Sequence, residues 1–411
     1  MKFSYALIKK LVPKLKNKKQ LVDLLNEHSF EVIDAEGDSF DVSLPPNRFS
    51  DAASHFGIAH EIAAILRIDY KVVLFFNFKV KSQCLEVQPL NIEIRDKKLC
   101  RRYAAQFFSG VKIKSSSAWI QKVLKDCGFR PINNVVDIMN YVMLETGQPL
   151  HVFDADKIVK SDKRHGTSAI IIRRAKNNES IESLDGAVFK LNSDVLVIAD
   201  IKSPLAIAGI KGGKKAEVGP KTKNIIVEAA NFDGPNIYRI SKFLNLKTDA
   251  SLRFSHGLSP FLVGLGLARA GEMLEKEGAR LEDFYDSRPD KHFKKIIEFD
   301  VEKFNRLTGI NLSTGQAENY FKHLGFVISK NLKLSAKNSF LVEVPPVRQD
   351  IENFEDLAEE ACRLYGYNNI KPAAPEVALK IAEVDDAVAF NDQLRRILIG
   401  FGTSEVYNYS F

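Results

Sequence analysis

The chain has 411 residues, 45% hydrophobic and 27% charged, with a formal net charge of +7. That length predicts about three domains, and the composition is that of a water-soluble globular protein. No apolar run approaches the roughly 20 residues a bilayer-spanning helix needs. The first twenty residues hold seven lysines but no apolar stretch of signal-peptide length, so no secretion signal is read. Cys84, Cys100, Cys127 and Cys362 are scattered without a CxxC pair, which argues against a zinc or disulfide framework and fits a reducing cytoplasm.

In chain order, Lys9, Lys10, Lys14, Lys16, Lys18 and Lys19 cluster before any acid appears, and Lys211, Lys214, Lys215, Lys221 and Lys223 form a second group. Such groups suit nucleic acid, or simply a solvated face. Residues 18–28 carry Leu21, Leu24 and Leu25 at helical spacing. A strand at 30–33 follows, then SFDVSLPPNR (39–48), alternating into a Pro-Pro stop. A helix over 57–66 keeps Ile58, Ile62, Ile65 and Leu66 on one face.

The same order returns far downstream. Residues 316–324 form a helix whose start at Ser313 and Gln316 has capping-box spacing, and 326–328 form a strand. SFLVEVPPVR (339–348) matches SFDVSLPPNR without a gap, and a helix at 356–365 mirrors 57–66 after a one-residue shift. Two copies of a small helix-strand-helix module thus flank a long centre. The centre mixes strands (169–172, 195–198, 225–227) with helices (118–125, 236–243, 260–277), an alternation that predicts an α/β domain. The whole is an α+β and α/β multidomain chain: a first module at 1–85, a central domain at 86–290, a second module at 291–370, and at 371–411 a KPAAPE linker with the start of a further domain. There a helix over 391–402 leads into a strand, EVYNYSF.

Within the centre, NNVVDIMNYVMLETGQPLHVFD (133–154) reads as a strand at Val135 and Val136, a helical run over 140–145, a Gly147-Gln148-Pro149 reversal, and His151 among apolar neighbours. Asn140 and His151, eleven residues apart, could converge on one pocket. Spacing alone favours a packed loop with a satisfied histidine.

GQPLHVFD preceded by VVDIMNYVMLE resembles the editing-module signature of the phenylalanyl-tRNA synthetase beta-subunit family. The resemblance extends in order along nearly the whole chain: PPNRFSDAASHFGIAHEIA, RRYAAQFFSGVKI, LAIAGIKGG, IVEAANFDGPNI, LKTDASLRF, VPPVRQDIENFEDLAEEACRLYGYNNI and GFGTSEVYNYSF. Several motifs in register are far more specific than any one. The chain departs from the family in three ways. EVIDAEGDSFDV runs straight through where an oligonucleotide-binding-fold insert usually sits, and the chain stops before the catalytic-like and anticodon-binding domains. Met139 replaces a usual threonine, and RFSHGLSP a more charged run.

The resemblance implies a central tRNA-editing domain whose residues are Asn140, His151, Gly212, Glu228, Thr248 and Ala250. A phenylalanine pocket rejects tyrosine poorly, roughly a hundredfold, so a second site must reward the phenol. Glu228 suits this as a carboxylate accepting a charge-assisted bond from the tyrosyl hydroxyl. The glycines of AIAGIKGG permit close approach to the acyl group, and Thr248 and Ala250 keep the pocket open. His151 would place the attacking water or terminal ribose, steadied by Asn140. The resemblance also implies a Mg²⁺ site shared with an alpha subunit, at Asp350, Asp356, Glu359 and Glu360, the last three on one helix face. KGGKK is not a P-loop, so ATP would be a substrate of the holoenzyme, bound on the alpha subunit.

The reading is therefore a cytoplasmic beta subunit that supports ATP-dependent charging of tRNA(Phe) within an α₂β₂ assembly and hydrolyses mischarged Tyr-tRNA(Phe), with neither membrane nor DNA as partner. The alternatives are a freestanding aminoacyl-tRNA hydrolase and a non-catalytic RNA-binding or assembly module.

Overall fold

SFDVSLPPNR and SFLVEVPPVR match because each supplies the middle strand of a small sheet and the turn after it. A computed structural model describes residues 1–35, 37–68, 90–159, 169–287, 294–329, 338–372, 374, 377–378 and 384–410. Cys84 and the expected limits at 85/86 and 290/291 lie outside the described residues. In the first unit, Lys2–Ser4 and Glu31–Asp34 pair antiparallel on either side of Ser39–Ser43. In the second, Ile296–Asp300 and Val327–Ser329 flank Ser339–Glu343 in the same way. Alternation sends Phe40 and Val42, and Phe340 and Val342, into the two cores. The prolines that follow cannot extend a ladder.

Each unit is larger than the helix-strand-helix module expected. The first adds the strand Lys2–Ser4 and the helix Tyr5–Leu11 before Lys18–His28; the second adds Ile296–Asp300 and Val301–Thr308 before Thr314–His323. These pieces are too short to show a clear period. The closing helices, His55–Ile65 and Phe354–Tyr365, start at Ser54 and Asn353, whose side chains accept from backbone N–H groups of the first turn. Ser313 and Gln316 form the expected capping box.

The central region is mixed α and β, but nearly all its pairing is antiparallel. Asn91–Ile94 with Ala169–Arg174 is the one parallel pair among the described strands, so the centre is layered rather than wound as βαβ units. Five strands run in the order Lys211–Gly212, Pro204–Ile207, Leu196–Ala199, Ala169–Arg174, Asn91–Ile94. Four more run Arg280–Asp286, Cys100–Ser109, Ile225–Phe232, Leu150–Asp154. One core joins the two sheets through Ile172, Ile198, Phe153, Ile226 and Phe232. A second lies on the other face of the four-stranded sheet, where Val152, Ile225 and Val227 meet the helices Ala118–Asp126, Asn134–Thr146 and Phe261–Lys276. Val135 and Val136, expected as a strand, begin the second of these helices. The Asn133 side chain accepts from both their N–H groups, and this cap outweighs the β preference of two branched residues.

Residues Lys371–Phe411 form a separate unit. Its helix Asp386–Gly400 is capped by Asp385 and buries none of its residues. EVYNYSF forms no strand over residues 405–410, since a ladder needs a partner strand and none pairs with it among the described residues. Among the described residues no helix is long and apolar enough to cross a membrane.

The two outer units meet through a buried ion cluster. Arg48 holds Asp51 and Glu61, Arg348 holds Asp350 and Glu360, and Arg363 reaches both glutamates, at 2.6 Å from each. Arg48 approaches Asp350 to 4.0 Å and Arg348 approaches Asp51 to 3.9 Å, so each half faces the acid of the other. None of the seven side chains is more than 11% exposed. Burial alone would raise the Glu61 carboxyl, but Arg363 and Arg48 outweigh it and hold it down at about 2. The same contest leaves Glu360 well below the usual range, through Arg348 and Arg363.

Removing one partner leaves buried charge uncompensated, at about 3–5 kcal/mol. Glu61→Gln should therefore lower urea-unfolding stability by about that amount. Because the folded Glu61 carboxyl titrates near 2 rather than near 4.5, its contribution is complete above about 4.5 and lost as pH falls toward 2. The parent should lose stability across that window more steeply than Glu61→Gln; parallel acid profiles would contradict the electrostatic role.

Candidate functional site

The four-stranded sheet decides which residues of the editing-like motifs share a face. In Ile225–Phe232, residues 226, 228, 230 and 232 point to the inter-sheet core and 225, 227 and 229 to the helical layer. Glu228 lies directly across from His151 in the register with Leu150–Asp154. Both line a cavity of about 70 Å³ together with Gly212, Ala250, Phe232 and Phe254. The loop leading to Lys211–Gly212 closes one side; at Gly209 the φ of +69° and a Cβ that would fall 2.8 Å from the Phe232 ring leave room only for glycine. Gly212 is constrained by contact alone, since a Cβ there would lie 2.5 Å from His151 Cε1.

Glu228 is 4% exposed, and among the described residues nothing hydrogen-bonds its carboxyl. Burial pushes it up to about 8, so near pH 7 it is chiefly a neutral acid. That differs from the carboxylate expected from the sequence: the group can donate as well as accept. His151 stands edge-on to Phe153, with ring centroids 4.6 Å apart, and burial lowers its imidazole to about 4. The site thus pairs a neutral acid with a neutral base in an apolar wall, an arrangement typical of functional rather than structural groups.

Of the six residues expected in the pocket, the structure brings together His151, Gly212, Glu228 and Ala250. Thr248 is adjacent but engaged elsewhere. Its hydroxyl donates to the Ile210 carbonyl at 3.0 Å and accepts from the Ser251 N–H, capping the helix Asp249–Ser255. It ties the 208–213 loop in place. Asn140 does not converge with His151. It sits half-buried on Asn134–Thr146, in the helical layer on the far side of the sheet. Met139 is buried in that same layer, so its departure from the expected threonine does not touch the cavity wall. RFSHGLSP likewise forms a joint: Arg253 donates to the Ala53 carbonyl and pairs with Asp249, while His256 stacks on Phe49 at 3.9 Å. Phe254 alone of that run reaches the cavity. The motif stretches supply the residues around this cavity; which side chains of the strands turn inward follows from their alternation.

The four acids expected to hold Mg²⁺ are divided. Asp350 and Glu360 belong to the buried ion cluster. The Asp356 carboxylate accepts from the Glu352 and Asn353 N–H groups as part of a capping box, and Glu359 is exposed. Among the described residues of this chain no three His, Cys, Asp or Glu are grouped to hold a metal ion. The repeat shows the same use twice: Asp51 and Glu61, the acids shared by the first copy, are the counterparts of Asp350 and Glu360 and do the same interlocking job. The lysine groups are partly used internally as well. Lys211 and Lys214 pair with Asp185 and Glu182, and Lys18 donates to the carbonyls of Ala35, Gly37 and Ser39.

Family models match two segments: the B3/4 domain over residues 99–278 and the tRNA synthetase B5 domain over residues 297–367. The phenylalanine–tRNA ligase beta subunit of Clostridium acetobutylicum is 38% identical over 388 residues, covering 93% of this chain and 46% of its own length. Those of Bacillus licheniformis and Bacillus subtilis are each 35% identical, over 90% of this chain and 44% of theirs. The chain thus spans less than half the length of these relatives. A solved N-terminal fragment of the phenylalanyl-tRNA synthetase beta subunit from Pyrococcus horikoshii aligns with 89% of this chain and 99% of its own, at 13% identity and a TM-score of 0.48.

Two measurements check the electrostatics. With a folded value near 8 against about 4.5 unfolded, Glu228 keeps its proton in the folded state while the unfolded chain has lost it. Stability should therefore fall as pH rises from about 4.5 to 8, and Glu228→Gln should flatten that slope; an unchanged slope would show that the carboxyl is not desolvated. Gly212→Ala should push the His151 ring aside, and proton NMR should then find its titration moved up from about 4 toward 6.5.

Proposed function

Because the chain belongs to the phenylalanine–tRNA ligase beta-subunit family, we propose that its central cavity hydrolyses the ester of a wrongly charged tRNA(Phe), tyrosine being the residue removed. The observation that carries this reading is the unpaired, buried Glu228 carboxyl across from His151 in an apolar cavity. A tyrosyl side chain entering the cavity gives Glu228 a hydroxyl to bond. A phenylalanyl side chain leaves the acid desolvated and unpaired, a cost of about 1–3 kcal/mol that falls on the correct product. The reaction adds water across the ester, releasing the amino acid and the free ribose hydroxyl. Neutral His151 accepts a hydrogen bond from that water or from the ribose, and so acts on any bound ester. Thr248 holds the loop that carries Gly212 against it.

Charging itself belongs to an alpha subunit in this proposal, in an α₂β₂ assembly in the cytoplasm, with ATP and Mg²⁺ used by the holoenzyme. Asp350 and Glu360 serve there as the interlock of this chain. Asn140 has no part in the hydrolysis. A freestanding hydrolase is the second reading, favoured by a central domain whose cavity is lined without any residue of the 371–411 unit.

Deacylation of purified Tyr-tRNA(Phe) and Phe-tRNA(Phe) tests the assignment. Glu228→Ala should reduce the preference for the tyrosyl ester roughly ten- to a hundredfold, while Glu228→Gln, which retains a neutral acceptor, should keep most of it at pH 7. His151→Ala should lower both rates together. An unchanged preference in Glu228→Ala would sink the selector role, and a parent without hydrolysis above the uncatalysed rate would sink the activity. Adding purified alpha subunit separates the two settings: hydrolysis by the chain alone supports the freestanding form, and hydrolysis only in the mixture supports the assembly.

A further inference from the structure

Glu228 is not the only polar group buried without a partner on this face. The Tyr103 side chain is 0% exposed, and its hydroxyl has no hydrogen-bond partner. Tyr103 stands on Cys100–Ser109, the strand next to Ile225–Phe232, where Tyr103 is opposite Ala230 and Ala105 is opposite Glu228. The two polar residues are therefore diagonal neighbours on one face, within reach of side chains of this length. Each faces an alanine across the ladder; Tyr103 is not itself among the cavity's lining residues, but its hydroxyl is close enough to feel Glu228. An orphaned buried hydroxyl is rare and costs stability.

Resting on the reading above, we propose that Tyr103 is a second recognition residue for the hydroxyl of the bound side chain, donating to the same oxygen whose proton Glu228 accepts. The chemistry is complementary. A phenol offers one donor and one acceptor; the Glu228 carbonyl oxygen takes the first, and the Tyr103 O–H fills the second. Burial, and then the proximity of Glu228, holds the Tyr103 hydroxyl well above its usual range, so it remains a donor at any working pH. Phenylalanine satisfies neither group, and so meets two unpaired polar atoms instead of one. No covalent step is assigned to Tyr103.

Binding of tyrosinamide and phenylalaninamide to the 411-residue chain, followed by NMR titration, tests this without any turnover. The parent should prefer tyrosinamide, and Tyr103→Phe should lose about two- to tenfold of that preference. The double variant Tyr103→Phe, Glu228→Ala should lose little more than Glu228→Ala alone, because both groups serve one oxygen. Thermal unfolding of Tyr103→Phe should be unchanged or raised, since an unpartnered hydroxyl contributes nothing to the free fold. An intact preference in Tyr103→Phe alongside a lost one in Glu228→Ala would overturn Tyr103 while leaving the Glu228 reading standing. Strictly additive losses, or a lowered melting temperature, would also overturn it. A parent with no preference would overturn both.

Discussion

Three guanidiniums and four carboxylates, closed away from water, are the constraint around which Met1–Ile370 is arranged. Arg48, Asp51 and Glu61 come from one end of that unit and Arg348, Asp350, Glu360 and Arg363 from the other. Each charge is tolerable only beside the others, because a single buried ion costs several kcal/mol. The His28 imidazole adds a bond to the Arg363 carbonyl at 2.7 Å. The central domain is pinned to this frame at further points: His55 bridges the Leu144 carbonyl and the Ser4 N–H, and Arg253 reaches Ala53. The cavity is built on elements whose ends are held by these joints.

Inside the cavity the physics runs the other way. The interlock keeps Glu61 and Glu360 ionised by surrounding them with arginine; the cavity keeps Glu228 and His151 neutral by surrounding them with apolar side chains. Desolvation is the sole cause of both shifts. One fold therefore holds buried glutamates in opposite protonation states near neutral pH, Glu61 and Glu360 charged and Glu228 not. What separates them is the presence of a guanidinium within bonding distance.

Much of this was legible in the sequence. The gapless pair SFDVSLPPNR and SFLVEVPPVR identified the repeat, and the motifs placed His151, Gly212, Glu228 and Ala250 on one site. Tertiary pairing remained hidden. Asp350 and Glu360 look like surface ligands until Arg48 is brought beside them from about 300 residues away. Val135 and Val136 look like a strand until Asn133 caps their N–H groups. Asn140 appears close to His151 along the chain, yet the sheet stands between them. Tyr103 carried no motif at all; only the register against Ala230 and a hydroxyl without a partner single it out.

The interlock also orders events during synthesis. Glu61 must wait for Arg363, 302 residues later, which at bacterial or eukaryotic elongation rates is about 15–60 s. Until then Arg48, Asp51 and Glu61 have only one another and water as partners. Closure is a late step, and it withdraws all of these charges from water at once. A nascent chain halted before residue 363 should carry a folded first unit with an open, hydrated ionic face, a surface on which a chaperone or a second nascent chain has time to settle before the molecule seals itself.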